Sequence, residues 1–486
     1  VKRKFKYWSQ RSVPHLSPQF PYGNAKGIGT KIHPTILFAN LYEKLKGKFL
    51  FAGAYLFTNP IVIATDTEFI KAILIKDFQY FNTRGIYHNE EDDPLSAHLF
   101  TLGDKRWRNL RIKITPTFTS GKMKIMFPLI TKVGEELQNT IENECKMNTD
   151  VELKEIFSRF TTDVIGSVAF GIECNSLKDP NAKFRQMGKR IFRSGKYEGF
   201  RRFFVTAFPN LAHKLRLKVI NDDVSEYFMQ AIRDTIRYRE ENNVVRNDFL
   251  NLLIDLKNNP RVFDEISDKP QALTFNEIAA QAFVFFFAGF ETSSTAISYC
   301  LYELAKRPDL QTKARDCVQS VLKKHDGSFT YESLYEMTYL EQCVYEILRL
   351  YPPAGLVIRK VTKKYKVPET NIALPKDMLV IVPIHGIHNN PEYYPNPSEF
   401  NPDRFDPEEN FKNSNRNYTY MPFGEGPRAC VGNRFGLMQT MIGVACILTK
   451  FKFTVSPKTP KKFEFAPTSI VLSPKNGIWL NFECLA

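Results

Sequence analysis

The order of apolar and polar residues predicts a mainly helical protein. Apolar residues recur at helical spacing through most of residues 107–285. Residues 276–305 are apolar on nearly every side, which predicts a long helix that runs through the core. Shorter helices are predicted for residues 334–350 and for residues 438–450.

Extended segments are short and lie towards the two ends of the chain. Residues 49–57 and 61–65 flank Asn59-Pro60 and predict a β-hairpin. Beyond residue 360 the chain alternates between short apolar runs and loops that contain proline. Because no linker separates these parts, we expect residues 1–486 to form one domain, mainly α with a small β region.

The charge narrows the choice of partners. The sequence has 67 Lys and Arg against 52 Asp and Glu, a formal net charge of +15. Such a surface attracts an anionic membrane, nucleic acid or an acidic protein, although it can also be simply solvated. Basic and aromatic residues are not interleaved in any short nucleic-acid motif, so a role in binding nucleic acid is not expected.

The spacing of the cysteines and the hydropathy of the chain argue against a zinc site, a disulfide framework and a membrane-spanning helix. The eight cysteines are scattered, and no two form a CxxC pair, so neither a zinc site nor a disulfide framework is indicated. A reducing, cytosol-facing environment fits this pattern better. The longest apolar run, residues 282–290, is much shorter than the roughly 20 residues that a membrane-spanning helix needs.

The first residues indicate that a membrane anchor precedes them in the natural protein. Residues 1–8 are basic and aromatic, and residues 1–24 also contain Pro14, Pro18 and Pro21. A basic-aromatic stop followed by prolines is typical of the cytosolic side of an N-terminal anchor helix. The alternative is a basic tail that never had an anchor.

The most informative segment is Pro422-Phe-Gly-Glu-Gly-Pro-Arg-Ala-Cys-Val-Gly432, where one cysteine lies among three glycines. Glycine permits dihedral angles and close approaches that other residues do not, so backbone N–H groups can point at the sulfur of Cys430. A thiolate held in this way can be an axial ligand of haem iron. Arg428 can reach an anionic haem propionate. The alternative is a glycine-rich turn with a buried cysteine.

This loop resembles the haem-binding loop of the cytochrome P450 family, with Phe423 seven residues before Cys430. The resemblance covers essentially the whole chain and is strongest to insect microsomal members that metabolise xenobiotics. It implies that Cys430 ligates the iron of haem b. The family fold it implies is a mainly α triangular prism that encloses the haem, with a small β region.

Two further motifs extend the resemblance. Glu346-Ile-Leu-Arg349 places a carboxylate and a guanidinium on one helix face. Downstream, Pro402-Asp-Arg-Phe405 is similar to the family's Pro-Glu-Arg-Phe box, with Asp403 where that box often has Glu. The resemblance implies a buried triad of Glu346, Arg349 and Arg404 that braces the haem loop.

A polar step interrupts the apolar central helix at Ala288-Gly-Phe-Glu-Thr292. Polar side chains there are costly unless they have partners or work to do. The resemblance implies that Ala288 and Gly289 let haem and dioxygen approach closely, and that Glu291 and Thr292 lie in the groove where oxygen is activated. The alternative is a helix kink, or a hydroxyl bonded back to a carbonyl.

The remaining residues predicted to bind haem are a tryptophan and two arginines. Trp107 and Arg111 share a helix face at i and i+4. The resemblance implies that both bind haem propionates, as does Arg359. Taken alone, each arginine would be read as a surface residue.

The resemblance also implies a complete reaction. A haem-thiolate monooxygenase inserts one oxygen atom of dioxygen into a lipophilic small molecule, such as a plant toxin, an insecticide or an endogenous lipid. NADPH–cytochrome P450 reductase supplies electrons, and cytochrome b5 is a second partner. The expected location is the endoplasmic reticulum membrane, with the catalytic domain on the cytoplasmic side. Residues 87–103 and 192–217 are expected to line the substrate pocket.

Other readings stay open at this point. A thiolate-haem isomerase or dehydratase would use the same cofactor without a reductase, and a non-catalytic haem-binding protein would not turn over. A module that binds nucleic acid or a membrane would rest on the charge alone and would not need haem. His385 and His388 are spaced like metal ligands, but their segment resembles a structural turn of the family.

Overall fold

The protein is described here by a computed structural model, which covers residues 4–147, 150–192, 199, 201, 204–206, 208–260, 263–264, 269–407 and 418–485. The first three residues of the predicted N-terminal segment 1–24 lie outside this set. Helices dominate the described chain. In chain order they are α1 (Pro34–Leu45), α2 (Thr67–Lys71), α3 (Asp104–Ile114), α4 (Ser120–Lys146), α5 (Leu153–Ile165), α6 (Lys183–Phe192), α7 (Pro209–Lys214), α8 (Asp222–Glu241), α9 (Phe249–Asn258), α10 (Phe275–Ala305), α11 (Pro308–Lys324), α12 (Tyr331–Glu336), α13 (Thr338–Leu350), α14 (Ile384–His388) and α15 (Asn433–Lys450).

The strands form small sheets. They are β1 (Phe51–Leu56), β2 (Asn59–Ala64), β3 (Val151–Glu152), β4 (Phe263–Asp264), β5 (Lys269–Pro270), β6 (Val357–Lys360), β7 (Tyr365–Lys366), β8 (Ala373–Leu374), β9 (Leu379–Val382), β10 (Phe451–Val455) and β11 (Trp479–Cys484). The largest sheet has the order β1-β2-β9-β6, in which only β2 and β9 are parallel. A second sheet has the order β10-β11-β3, and β4–β5 and β7–β8 are isolated pairs. The expected fold class, mainly α with a small β region, is confirmed.

The predicted hairpin is present, but its turn lies earlier than expected. Leu56 pairs with Asn59, so the turn consists of residues 57–58, and Pro60 belongs to the second strand. Proline cannot donate a hydrogen bond to a neighbouring strand. It is tolerated here because the pairing of β2 with β9 starts only at Ile61.

The predicted helices differ from the observed ones mainly at their ends. The long central helix is confirmed as α10, and its start is fixed by a capping box in which Thr274 and Glu277 each accept from the other's main-chain N–H. The helix predicted for residues 334–350 is divided at Met337 into α12 and α13. The last helix begins at Asn433, directly after the glycine-rich loop.

The described residues cluster in two compact units. The first comprises Val1–Gly85, Tyr345–Val431 and Phe463–Lys475. Its core surrounds the four-stranded sheet and includes Trp8, which is fully buried. The Trp8 ring lies against Gly53, where an added Cβ would come within 2.4 Å of it. The aromatic start of the chain therefore belongs in part to a folded core.

The second unit comprises Ile86–Val344, Gly432–Lys462 and Asn476–Ala486. Its centre is α10, which packs against α5 and α15, while α15 also packs against α4. Within the described chain, no helix combines the length and apolar character required to cross a membrane. The interpretation of residues 1–486 as one functional domain stays a prediction.

Candidate active site

The Cys430 loop has a backbone that requires glycine. Gly424 and Gly426 have positive φ angles of 69° and 73°. A Cβ on Gly426 would lie 2.0 Å from the carbonyl oxygen of Leu74, so no other residue fits there. The main-chain N–H of Cys430 donates to the carbonyl of Phe423 at 2.8 Å and closes the loop. The Cys430 side chain is exposed.

Four of the other cysteines are poorer candidates for a ligand. Cys174, Cys300 and Cys446 are buried, and burial raises the pKa of each thiol, that of Cys446 to about 12. A thiol with such a pKa does not become a thiolate at neutral pH. Cys145 is half-buried, and burial raises its pKa to about 12 as well. Cys430 combines an exposed sulfur with a glycine-rich backbone.

Three arginines of the first unit lie near one another. Arg359 on β6 is buried, and burial together with repulsion from Arg84 lowers the pKa of its guanidinium to about 9. Arg84 follows Thr83, which pairs with Lys360, and donates to the carbonyl of Arg428 at 3.3 Å. Sequence reasoning identified Arg359 and Arg428 but missed Arg84, because its backbone bridge to β6 leaves no local signal.

Glu346, Arg349 and Arg404 lie close together in the first unit. Arg349 donates to both carboxylate oxygens of Glu346, at 2.7 and 2.8 Å, and neither side chain is exposed. The Nε of Arg404 lies 3.4 Å from the same carboxylate. Burial raises the pKa of Glu346, and the bonds from Arg349 oppose that shift. The carboxylate also accepts from the main-chain N–H of Asn401 at 3.0 Å.

His388 connects this triad to the Cys430 loop. Arg349 donates to the main-chain carbonyl of His388 at 2.9 Å. The Nε2 of His388 accepts from the main-chain N–H of Met421 at 2.8 Å, one residue before the segment that begins at Pro422. The ring is buried and stacks on Tyr420. The predicted structural turn thus has a definite partner, which the sequence did not reveal.

Trp107 and Arg111 lie on α3 in the second unit. Trp107 is buried and Arg111 is half-buried, and their i to i+4 spacing places them on one side of the helix. The carbonyl of Arg111 accepts from the hydroxyl of Thr115 at 2.7 Å, which stabilises the last turn of the helix.

The turn of α10 around Ala288 is more exposed than the part of the helix that follows it. Ala288 is exposed and Thr292 half-buried, whereas the following turns are buried. The Thr292 hydroxyl donates to the carbonyl of Ala288 at 2.6 Å. Gly289, by contrast, has no room for a larger side chain, since a Cβ there would lie 2.4 Å from Ile165 of α5. Close packing of two helices therefore accounts for this glycine.

Glu291 is engaged by a partner that the sequence did not indicate. Its carboxylate lies 2.6 Å from the ammonium of Lys154, on α5. Both side chains are largely buried, with exposed fractions of 15% and 23%. The carboxylate is directed at α5, and the placement of Glu291 in the groove where oxygen is activated stays a prediction.

The two segments expected to line the substrate pocket, residues 87–103 and 192–217, are joined by charged side chains. Arg216 donates two hydrogen bonds to the carboxylate of Asp92, at 2.8 and 2.7 Å. Asp93 is buried and accepts from two main-chain N–H groups just beyond the second segment, at 2.8 and 3.0 Å. Parts of that segment lie outside the described residues, namely 193–198, 200, 202–203 and 207.

This geometry defines a class of protein. An exposed cysteine on a glycine-rich loop, with buried guanidinium groups in the same unit, fits a haem-thiolate protein. Comparison with known sequences then gives the family. The family profile described as cytochrome P450 matches residues 14–481. The chain therefore belongs to the cytochrome P450 family.

Individual relatives agree with this assignment. The chain is 44% identical over 490 residues to the probable cytochrome P450 6a14 of Drosophila melanogaster, covering 99% of this chain and 95% of that protein. It is 41% identical over 489 residues to cytochrome P450 6A1 of Musca domestica, covering 100% and 95%. It is 44% identical over 486 residues to cytochrome P450 6a2 of Drosophila melanogaster, covering 99% and 96%. The resemblance to insect members is confirmed.

Family membership gives the cofactor and the reaction class. The protein binds haem b and is a monooxygenase that acts with a redox partner on a lipophilic substrate. Its relatives also indicate an association with the endoplasmic reticulum. The first unit fits the cofactor, because the Nε of the buried Arg359 has no hydrogen-bond partner among the described residues. An anionic propionate would supply one.

Proposed function

We propose that this protein inserts one oxygen atom of dioxygen into a xenobiotic or an endogenous lipid, using electrons from NADPH. NADPH–cytochrome P450 reductase is the proposed donor, with cytochrome b5 as an additional partner. When bound, the haem supplies the oxidising chemistry and stores the delivered electrons. The polypeptide binds and orients the cofactor and the substrate, limits access of water and supplies protons.

The observation that carries the proposal is the exposed thiol of Cys430 in a loop that only glycine can build. A thiolate ligand donates electron density to iron and favours cleavage of the O–O bond. Hydrogen bonds to the sulfur and the residues around the site tune the reduction potential of the iron. The network of Glu346, Arg349 and His388 binds the main-chain N–H of Met421, and buried groups thus support the segment that leads into this loop.

Basic and aromatic side chains are proposed to hold the haem propionates. Arg359 and Arg428 are buried cations in the same unit as Cys430, and Arg84 joins them through the Arg428 carbonyl. Trp107 and Arg111 are assigned the same role on the basis of the family motif. A buried guanidinium is stabilised by an anion, and charge-assisted hydrogen bonds to carboxylates are about twice as strong as neutral ones.

Thr292 is proposed to hold water and pass protons to the site of oxygen activation. Its hydroxyl proton is committed to the Ala288 carbonyl at 2.6 Å, so the oxygen lone pairs remain as acceptors for a water molecule. The exposed methyl of Ala288 leaves room on the same side of the helix. Phe423 and Gly289 are assigned to the surroundings of the cofactor by the family motif.

The basic charge is proposed to serve partners at the membrane surface. A net charge of +15 favours an acidic face of the reductase and anionic lipid headgroups. Phe208, Leu211 and Leu215 are exposed apolar side chains around α7, next to Lys214 and Arg216. This mixture suits the membrane interface. We place the catalytic part on the cytoplasmic side.

The test compares turnover driven by reductase and NADPH with turnover driven by peroxide, at increasing salt. Exposed charges are screened beyond about 8 Å at physiological ionic strength, so reductase-driven turnover should fall with salt and peroxide-driven turnover should barely respond. Equal salt sensitivity of both reactions would contradict docking by charge. Conversion of substrate without any reductant would instead support an isomerase or dehydratase.

A further inference from the structure

Lys154 on α5 contacts one turn of α10 through several groups. Its ammonium lies 2.6 Å from the carboxylate of Glu291 and 3.1 Å from the carbonyl oxygen of the same residue. It also donates to the hydroxyls of Ser294 and Thr295, at 2.9 and 2.6 Å. An ammonium group has three protons, and these four acceptor atoms share them, so all of its donors are directed at this single turn.

Other contacts from α5 reach the same stretch of α10. The hydroxyl of Thr161 donates to the carbonyl of Phe290 at 3.0 Å. Ile165 fills the space beside Gly289. Consecutive main-chain carbonyls of α10, those of Phe290 and Glu291, therefore accept bonds from α5 in addition to their place in the helix. Such extra donors fix the local geometry of a helix and mark sites of bending.

The side of α10 that faces α5 and the side that carries Thr292 have different partners. Thr292 donates to the Ala288 carbonyl and lies on the exposed side of the turn. The next residue before it, Glu291, is bound to Lys154. Because successive residues of a helix are about 100° apart, a fixed Glu291 also fixes the direction of Thr292. The ion pair therefore involves the residue directly before the proposed proton-transfer group.

We propose that Lys154 is a positioning residue for the monooxygenase reaction, and that Glu291 acts as its ion-pair partner rather than as a direct proton donor. The pair and the bond to the Glu291 carbonyl hold the turn with Ala288 and Thr292 in one conformation. This inference rests on the proposed role of Thr292 in proton transfer. It assigns a role to Lys154, which has no place in the motifs that define the family resemblance.

Loss of Lys154 has a definite chemical consequence. The Glu291 carboxylate loses its cation, and the ordered turn loses donors to two hydroxyls and one carbonyl. The turn that carries Ala288 and Thr292 is then held less firmly, so water near the Thr292 hydroxyl is positioned less well. Electrons from NADPH continue to reach dioxygen, but more of them leave as hydrogen peroxide, which needs two electrons and two protons per dioxygen. Product formed per NADPH falls accordingly.

The test uses Lys154→Met, Lys154→Arg, Glu291→Gln and the double variant Lys154→Met with Glu291→Gln. The matched control is Lys189→Met on α6, which breaks an exposed ion pair with Glu155, the residue next to Lys154 on α5, and leaves the contacts of Lys154 with α10 in place. Product, peroxide and NADPH are measured in one reaction. Amide hydrogen exchange of residues 289–296 is measured in parallel, and it does not depend on turnover.

Lys154→Met is expected to lower product per NADPH and to speed exchange in residues 289–296 by about fivefold, the size of effect that a partly exposed ion pair supports. Lys154→Arg should keep product per NADPH and the exchange rate close to wild type. Lys189→Met should change neither product per NADPH nor the exchange rate. Glu291→Gln should lower product per NADPH less than Lys154→Met does. The double variant should lower it no further than Lys154→Met alone, because the two residues act as one pair.

Two outcomes would overturn the inference. The first is wild-type coupling and exchange in Lys154→Met. The second is a loss of coupling in Glu291→Gln that matches Thr292→Val while Lys154→Met stays normal, since Glu291 would then act directly. Should Lys154→Met fail to fold, Lys154→Gln and Lys154→Arg give the same comparison. Failure of the proposed function is distinguished by a wild-type chain whose ferrous–CO spectrum is not that of a thiolate-ligated haem.

Discussion

The Nε2 atom of His388 accepts a hydrogen bond from the main-chain N–H of Met421 at 2.8 Å. This bond requires a neutral ring with its proton on Nδ1. Burial, followed by the positive charge of Arg349, lowers the pKa of His388 to about 3. The segment that leads into the Cys430 loop therefore depends on a histidine that stays uncharged.

The first prediction is a loss of stability in acid that His388 controls. The unfolded imidazole has a pKa of about 6.5, so its contribution to stability is complete above that value. It is lost as the pH falls from about 6.5 towards about 3, by up to about 1.4 kcal/mol per pH unit. His388→Gln, whose amide oxygen can accept the same bond, should show a shallower acid slope in urea unfolding. His325→Gln, at an exposed pair with Glu336, is the control. An unchanged slope in His388→Gln would contradict the assignment.

The second prediction concerns the buried pair of Glu346 and Arg349. Glu346→Ala leaves the Arg349 guanidinium buried without its anion, and removal of one member of such a pair costs roughly 3–5 kcal/mol. Soluble yield and the urea midpoint should both fall. Glu332→Ala, at an exposed pair with Lys124, should leave both unchanged. A well-expressed Glu346→Ala protein with a normal midpoint would show that the pair does not support the fold.

The third prediction concerns retention of haem. Arg359→Ala, Arg428→Ala, Arg111→Ala and Trp107→Ala each remove a proposed donor to a propionate, and a hydrogen bond to a charged group is worth about 1.5–3 kcal/mol. Transfer of haem to an excess of apomyoglobin should be faster in each. Arg237→Ala removes an exposed arginine paired with Asp234 and serves as the control. If all four variants retained haem like the control, the propionate assignments would be wrong.

The fourth prediction concerns the Thr292 hydroxyl. Thr292→Val keeps the shape and the β-branching but cannot hold water or bond to the Ala288 carbonyl. The ferrous–CO spectrum should remain normal, and NADPH consumption should continue, while product per NADPH falls and peroxide rises. Thr292→Ser retains the hydroxyl and should recover much of the coupling. Full coupling in Thr292→Val would mean that protons arrive by a route without this side chain.

Local patterns in the sequence were sufficient for part of this account. The apolar periodicity predicted α10 to within one residue of its start, because a helix that is apolar on all sides has a strong signal. The glycines around Cys430 predicted an unusual backbone, and positive φ angles occur at Gly424 and Gly426. These features depend on neighbours in the chain.

Features that depend on distant residues could not be predicted. Lys154 lies 137 residues before Glu291, and Met421 lies 33 residues after His388, so no spacing rule connects either pair. The position of Arg84 depends on the bridge between Thr83 and Lys360. The close packing of Gly289 against Ile165 is likewise a requirement that only the fold reveals, and the predicted role of Gly289 beside the haem stays a prediction.

The central claim is that the sulfur of Cys430 is the iron ligand, and the most direct test is the ferrous–CO difference spectrum of Cys430→Ser. Cys484, also exposed, provides the matched control Cys484→Ser. The account predicts that the red-shifted absorption of a thiolate-ligated haem is lost in Cys430→Ser and kept in Cys484→Ser. A thiolate-type spectrum in Cys430→Ser would contradict it and would assign the ligand to another cysteine.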